Sequence, residues 1–147
     1  MIFVGSMCDL FGSWIPQEWI ERVLKTVYKA DWHEYMFLTK YPKEYNNYYF
    51  PSNCWLGATI EEYNDAGDKR YQDMCEIITD ARKYLSIEPI LGPFWFVQLE
   101  KDFDLIIVGA MTGPGAIKSE KDWLESIDHS NIYLKSNLKN QNHGNKD

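Results

Sequence analysis

Basic residues are the scarce class in this sequence of 147 residues: 15 Lys and Arg stand against 22 Asp and Glu, a formal net charge of −7 at pH 7. That deficit argues against non-specific binding to nucleic acid or to an anionic membrane, both of which need a basic surface. It leaves room for a small local basic pocket. Long apolar runs are missing as well; none approaches the ~18–20 residues of a membrane span. No charged leader, apolar segment and small-residue cleavage site follow Met1, so no signal peptide is expected and the cytoplasm is the expected location. Cysteine is sparse: Cys8, Cys54 and Cys75 lie far apart, make no CxxC or CxxxC pair and are odd in number. Reduced, mostly buried thiols are expected instead of disulfides. His33, His129 and His143 show no HxxxH spacing, so no metal ligands are expected.

Apolar content is ample: 45% of residues are hydrophobic and 16% aromatic, enough for the core of one domain. That domain is expected over residues 1–138, with a polar tail over 139–147; the polar run itself starts at Ser136 and is expected to fray. Six short apolar runs punctuate the chain: Ile2–Met7, Tyr35–Lys40, Cys54–Glu61, Tyr84–Leu91, Asp104–Gly109 and Asn131–Lys135. Each is continuous rather than alternating, the pattern of parallel strands covered on both faces. Helices fit between several. Pro16–Ala30 carries Trp19, Ile20, Val23, Leu24 and Val27 on one face. Asp68–Asp80 turns Tyr71, Met74, Cys75 and Ile78 inward, and Ser119 is the expected N-cap of a short helix through Ile127. Pro42–Tyr49 reads as a helical turn, and Gly92–Phe103 has no helical period. The expected fold is α/β: a partial, incomplete parallel β/α barrel, or an open sheet of about six strands.

Parallel α/β folds bind ligands at the carboxyl ends of their strands. The residues after each apolar run therefore merit reading together. They are Ser6, Met7 and Asp9; Thr39 and Lys40; Thr59 and Glu61; Ser86 and Glu88; Met111, Thr112 and Gly113; and Lys135. Three acids and two lysines would converge on one rim. Strand ends meet water in any protein, so each residue alone is as readily structural. As a set they suit acid–base or substrate-anchoring roles, because partly buried charges need partners or ligands. The segment Gly109–Gly115, GAMTGPG, matches neither GxGxxG nor a Walker loop; it reads either as a tight turn or as an anion cradle. Two aromatic clusters, Tyr41–Phe50 and Phe94–Phe96, suit a core or a subunit contact better than base stacking, given the acidic balance.

Taken in order, IFVGSMCDLFGSWIP, FLTKYPKEY, CWLGATIE, LSIEPILGP, LIIVGAMTGPGA and IYLKSNL resemble the phage gene-product 37/68 family of uncharacterised function, over nearly the whole chain to about Leu138. That resemblance implies kinship with radical S-adenosylmethionine enzymes, and the GSMCDLF and FLTK segments are similar to those of spore photoproduct lyase-like enzymes. It implies Ser6, Asp9, Lys40, Thr59, Thr112 and Gly113 as cofactor-binding residues, and Glu61, Glu88 and Lys135 in the same cavity as catalytic candidates. S-adenosylmethionine is the implied cofactor. Two departures accompany the likeness. The clustered cysteines of full-length members precede the IFVGSM strand and have no counterpart here, so an iron–sulfur cluster is not expected on this chain alone. The family's GGETGPGA reads GAMTGPGA here, with Met111 in place of an acid.

Three functions follow as expectations. The first is a half-barrel that keeps a strand-end pocket and lacks its radical initiator, as a fragment, split subunit or remnant. The second is a non-catalytic binding or scaffold module completed by a partner chain or a second copy, which would cover the exposed edge of the first strand. The third is a cluster-independent acid–base enzyme using Glu88, Glu61 and Lys40.

Overall fold

The computed structural model describes residues 1–94, 99 and 102–141, with backbone alone at 140 and 141. Six strands, β1 (Ile2–Val4), β2 (Tyr35–Thr39), β3 (Cys54–Thr59), β4 (Arg82–Ile87), β5 (Leu105–Val108) and β6 (Ile132–Leu134), form one sheet in sequential order. Every neighbouring pair is parallel. β1 and β6 do not pair with each other, so the sheet is open and not a closed barrel. Helices α1 (Gln17–Lys29), α2 (Asp65–Cys75) and α3 (Lys121–Glu125) and a 3-10 helix (Pro42–Asn47) lie in the connections, and α4 (Ser136–Gln141) follows β6.

The register explains why the runs are apolar throughout. Tyr35, Phe37, Cys54, Leu56, Ala58, Leu85, Ile87, Ile106 and Val108 occupy one face and join Ile20, Leu24 and Val27 of α1, Met74 of α2 and Leu138 of α4 in one buried core. Alternation sends Met36, Trp55 and Tyr84 to the opposite face. There Tyr84 lies flat over Gly57 and donates its hydroxyl to the Phe37 carbonyl at 2.9 Å. Arg82 stacks over the Trp55 ring, 4.9 Å from its centre, and pairs with Glu34 at 2.9 Å.

Several sequence expectations are corrected. In α1 the buried stripe is Ile20, Leu24 and Val27, while Trp19 is 54% exposed; Trp19 sits about 100° around the helix from Ile20, beyond the stripe. Helix α2 starts and stops earlier than its apolar spacing suggested. Asn64 caps it by accepting from the Gly67 N–H at 2.9 Å, and it ends at Cys75. Ile78 therefore falls outside the helix and is 99% exposed. The cap residue of α3 is Glu120, without a side-chain bond, and Ser119 is buried ahead of it. Residues 136–141 do not fray as a polar tail: they form α4, and Leu138 is fully buried. Of the aromatic clusters, Tyr45, Phe50 and Phe94 are core residues, whereas Tyr41 and Tyr49 are exposed; Trp95 and Phe96 lie outside the described residues. Cys54 is buried, Cys75 is half-buried, and Cys8 is exposed rather than buried, all as free thiols.

Candidate functional site at the carboxyl rim

The loop after β1 is held by Asp9. Its Oδ1 accepts from the Thr39 hydroxyl at 2.6 Å and the Phe11 N–H at 3.2 Å, and its Oδ2 from the Lys40 N–H at 2.8 Å. The Thr39 oxygen in turn accepts from the Tyr41 N–H at 2.9 Å. One carboxylate thus ties the ends of β1 and β2 together. Its oxygens are engaged by the chain itself, which makes Asp9 a builder of the rim. Lys40, freed to project from the end of β2, reaches Glu61 beyond β3 at 2.8 Å. Arg70 approaches the same carboxylate from α2 at 3.8 Å while donating to the Thr59 carbonyl at 3.0 Å. A cavity of about 90 Å³ lies beside this group, lined by Glu61, Asn64, Arg70 and Leu91 among others.

A second ion pair spans β4 and β6. Glu88 follows β4, immediately before a cis bond to Pro89, and its Oε2 accepts from Lys135 Nζ at 2.5 Å. Both side chains keep partial exposure, 41% for Lys135 and 30% for Glu88, so water and solutes reach the pair. Glu88 packs against the backbone of Gly109: a Cβ there would lie 2.7 Å from Glu88 Oε1. The next residue, Ala110, is gripped by Asn137, whose Nδ2 donates to the Ala110 carbonyl at 2.9 Å while its Oδ1 accepts from the Ala110 N–H at 3.4 Å. The Leu91 N–H donates to the Glu61 carbonyl at 2.8 Å, joining the loops that carry the two acids.

The structure thus brings Asp9, Lys40, Glu61, Glu88 and Lys135 to one rim, as two lysine–carboxylate pairs and one loop-binding carboxylate. The other candidates are more scattered. Thr59 closes β3 and is half-buried; Ser6, Thr112 and Gly113 are exposed, and Gly113 adopts φ +98°. Arg70 and Asn137 were not singled out from the sequence. Asn137 had no readable signal, since it sits in a polar run, and Arg70 looked like one more charge on the solvent side of a helix. Larger clefts lie elsewhere. Two of about 330 and 360 Å³ border the outer side of α1 around Trp19 and Arg22, and one of about 470 Å³ lies between the 3-10 helix and the start of α1.

Among the described residues, no group of three or more His, Cys, Asp or Glu is placed to hold a metal ion. An iron–sulfur cluster takes several thiolates in close array; Cys8, Cys54 and Cys75 are free thiols, one exposed, one buried and one half-buried. Among the described residues, no helix is long and apolar enough to cross a membrane.

Fold and rim together define a sequentially ordered parallel α/β sheet with a mixed-charge carboxyl edge. The chain belongs to a family described as a protein of unknown function (DUF5131), whose model matches residues 1–141. No curated protein and no solved structure matches it.

Proposed function

We propose that this chain is a radical S-adenosylmethionine-like half-barrel that binds a small nucleoside-type cofactor at its carboxyl rim, and that radical chemistry requires an iron–sulfur cluster supplied by a partner. The observation that carries this reading is the meeting of Lys40–Glu61 and Glu88–Lys135 on the carboxyl rim of one parallel sheet. A ligand bearing both an ammonium and a carboxylate, as the methionine end of S-adenosylmethionine does, exchanges with one such pair charge for charge. In this reading Glu61, Glu88 and Lys135 face the ligand's reacting end. Lys40, Thr59, Ser6, Thr112 and Gly113 surround it, and Asp9 fixes the loop. The test is calorimetric titration of S-adenosylmethionine into protein prepared anaerobically with iron and sulfide, with an iron assay on the same sample. Binding without iron, abolished by Glu88→Gln in a folded chain, is the expected result. Absence of binding overturns the cofactor, and iron at cluster stoichiometry overturns the need for a partner.

The edge of the sheet favours a second reading, a scaffold module completed by another chain. Among the described residues β1 pairs with β2 alone. Its Ile2 and Phe3, on opposite faces, are 40% and 45% exposed. A strand left apolar on both sides and open along one edge is a template for a further strand. Sedimentation across a concentration series, with Phe3→Lys as control, reports whether copies associate through it.

A further inference from the structure

The connection from β5 to α3 is unlike the others at this rim. Its root is fixed. The Gly109 N–H donates to the Ile87 carbonyl at 3.0 Å, its carbonyl accepts from the Ile90 N–H at 2.9 Å, and Ala110 is 3% exposed in the grip of Asn137. Its far end is fixed too, by Ser119 at 7% exposure. Between these anchors, 112–118 is exposed throughout. Gly113 and Gly115 flank Pro114 with φ of +98° and +78°, and beyond the adjoining residues neither has an atom within 4 Å of where a Cβ would stand. The segment's largest apolar side chain, Ile117, is 52% exposed.

The root belongs to the site. Gly109 touches the Glu88 carboxyl group, and Asn137, which holds Ala110, lies two residues beyond Lys135. Two glycines between fixed ends are what a hinge needs, because glycine adopts φ of either sign with no Cβ to hinder it. An apolar side chain gains by covering the apolar portion of a ligand held at the pair.

We propose that 112–118 is a strap that closes over the Glu88–Lys135 pair, with Ile117 as its contact to the apolar part of a bound ligand. The strap samples the closed position in the free protein and is held there by ligand. This rests on the proposed rim site and deepens it: the preferred ligand has a charged end for the pair and an apolar body for Ile117.

Two measurements test it. The first needs no ligand: the acetylation rate of Lys135, read by mass spectrometry, in the intact chain, in Ile117→Asp, and in a variant with 112–118 replaced by two glycines. Lys135 is expected to react about threefold faster in both variants, because the closed state no longer shields it. Equal rates in the intact chain and in Ile117→Asp, whose exposed position leaves folding untouched, overturn the strap. The second uses S-adenosylmethionine as probe, with calorimetry on the same sample. Hydrogen exchange over 112–118 is expected to slow about fivefold on saturation while that of α1 stays constant. Binding with unchanged exchange overturns the strap and leaves the cofactor reading standing. No binding overturns the cofactor reading, and Lys135 acetylation then decides the strap alone.

Discussion

Gly109 and Glu88 occupy a space that admits only one side chain: a Cβ on residue 109 would stand 2.7 Å from Oε1 and 2.9 Å from the carboxyl carbon of Glu88. The glycine is therefore part of how Glu88 reaches Lys135. Gly109→Ala is expected to push the carboxyl group off its lysine and to cost about 1–3 kcal/mol, the usual range for overpacking. Urea denaturation measures the loss, and titration of the rim ligand shows whether binding falls with it.

The contact between Gly57 and Tyr84 makes a sharper version of the same argument. A Cβ at 57 would lie 2.2 Å from the Tyr84 ring, which is fully buried. Gly57→Ala is expected to be among the most damaging single changes in the sheet, at about 3 kcal/mol or more. Tyr84→Ala empties the space, so the double variant should be less destabilised than the sum of the singles. Strict additivity in a double-mutant cycle would show that the ring does not define that contact.

Asp9 supports the rim through bonds to Thr39, Phe11 and Lys40. Asp9→Ala leaves those donors without their acceptor, an effect of roughly 1–3 kcal/mol. Thr39→Val, which removes one of the bonds and keeps the shape, is expected to cost less. If Asp9→Ala weakens ligand binding while the midpoint of unfolding stays unchanged, Asp9 touches ligand directly and its role as loop anchor is refuted.

The cysteines should separate cleanly by labelling. Cys8 is exposed and reacts with iodoacetamide in the native protein, while Cys54 reacts only after unfolding. Burial pushes the Cys54 thiol up from 9.0 to about 11. Since its folded pKa is the higher one, the contribution of this group to stability is complete below pH 9 and is lost as pH rises toward 11. Cys54→Ala should flatten that alkaline decline in a series of denaturation curves. Native-state labelling of Cys54 at the rate of Cys8 would contradict its placement in the core.

How far the sequence led depended on what kind of signal each residue carried. The strands were legible because a parallel strand buried on both faces has to be apolar at consecutive positions, and YMFLT and LIIV are. The polar residues after those runs pointed to the rim for the same reason, and Lys40, Glu61, Glu88 and Lys135 do meet there. Pairing was not legible. Nothing in the order of residues says that Lys40 chooses Glu61 and Lys135 chooses Glu88, because the partners are 21 and 47 positions apart. Helix ends were misjudged where local structure outweighs apolar spacing: Asn64 caps α2 at its start, and the helix stops at Cys75, which leaves Ile78 in solvent. Helix α4 was missed because one buried leucine, Leu138, docks a segment that is otherwise polar, and composition averages that leucine away.

The sequential strand order has a consequence for the birth of the molecule. Each strand hydrogen-bonds to the one made immediately before it, so no strand waits for a partner still inside the ribosome. As synthesis proceeds from the amino terminus, β2 can settle on β1, β3 on β2, and so on, each arrival offering the next its edge. The two ion pairs assemble on different schedules under that regime. Lys40 meets Glu61 once three strands exist, whereas Glu88 stays without Lys135 until the sixth has emerged. The second half of the rim is the last feature of the sheet to be completed.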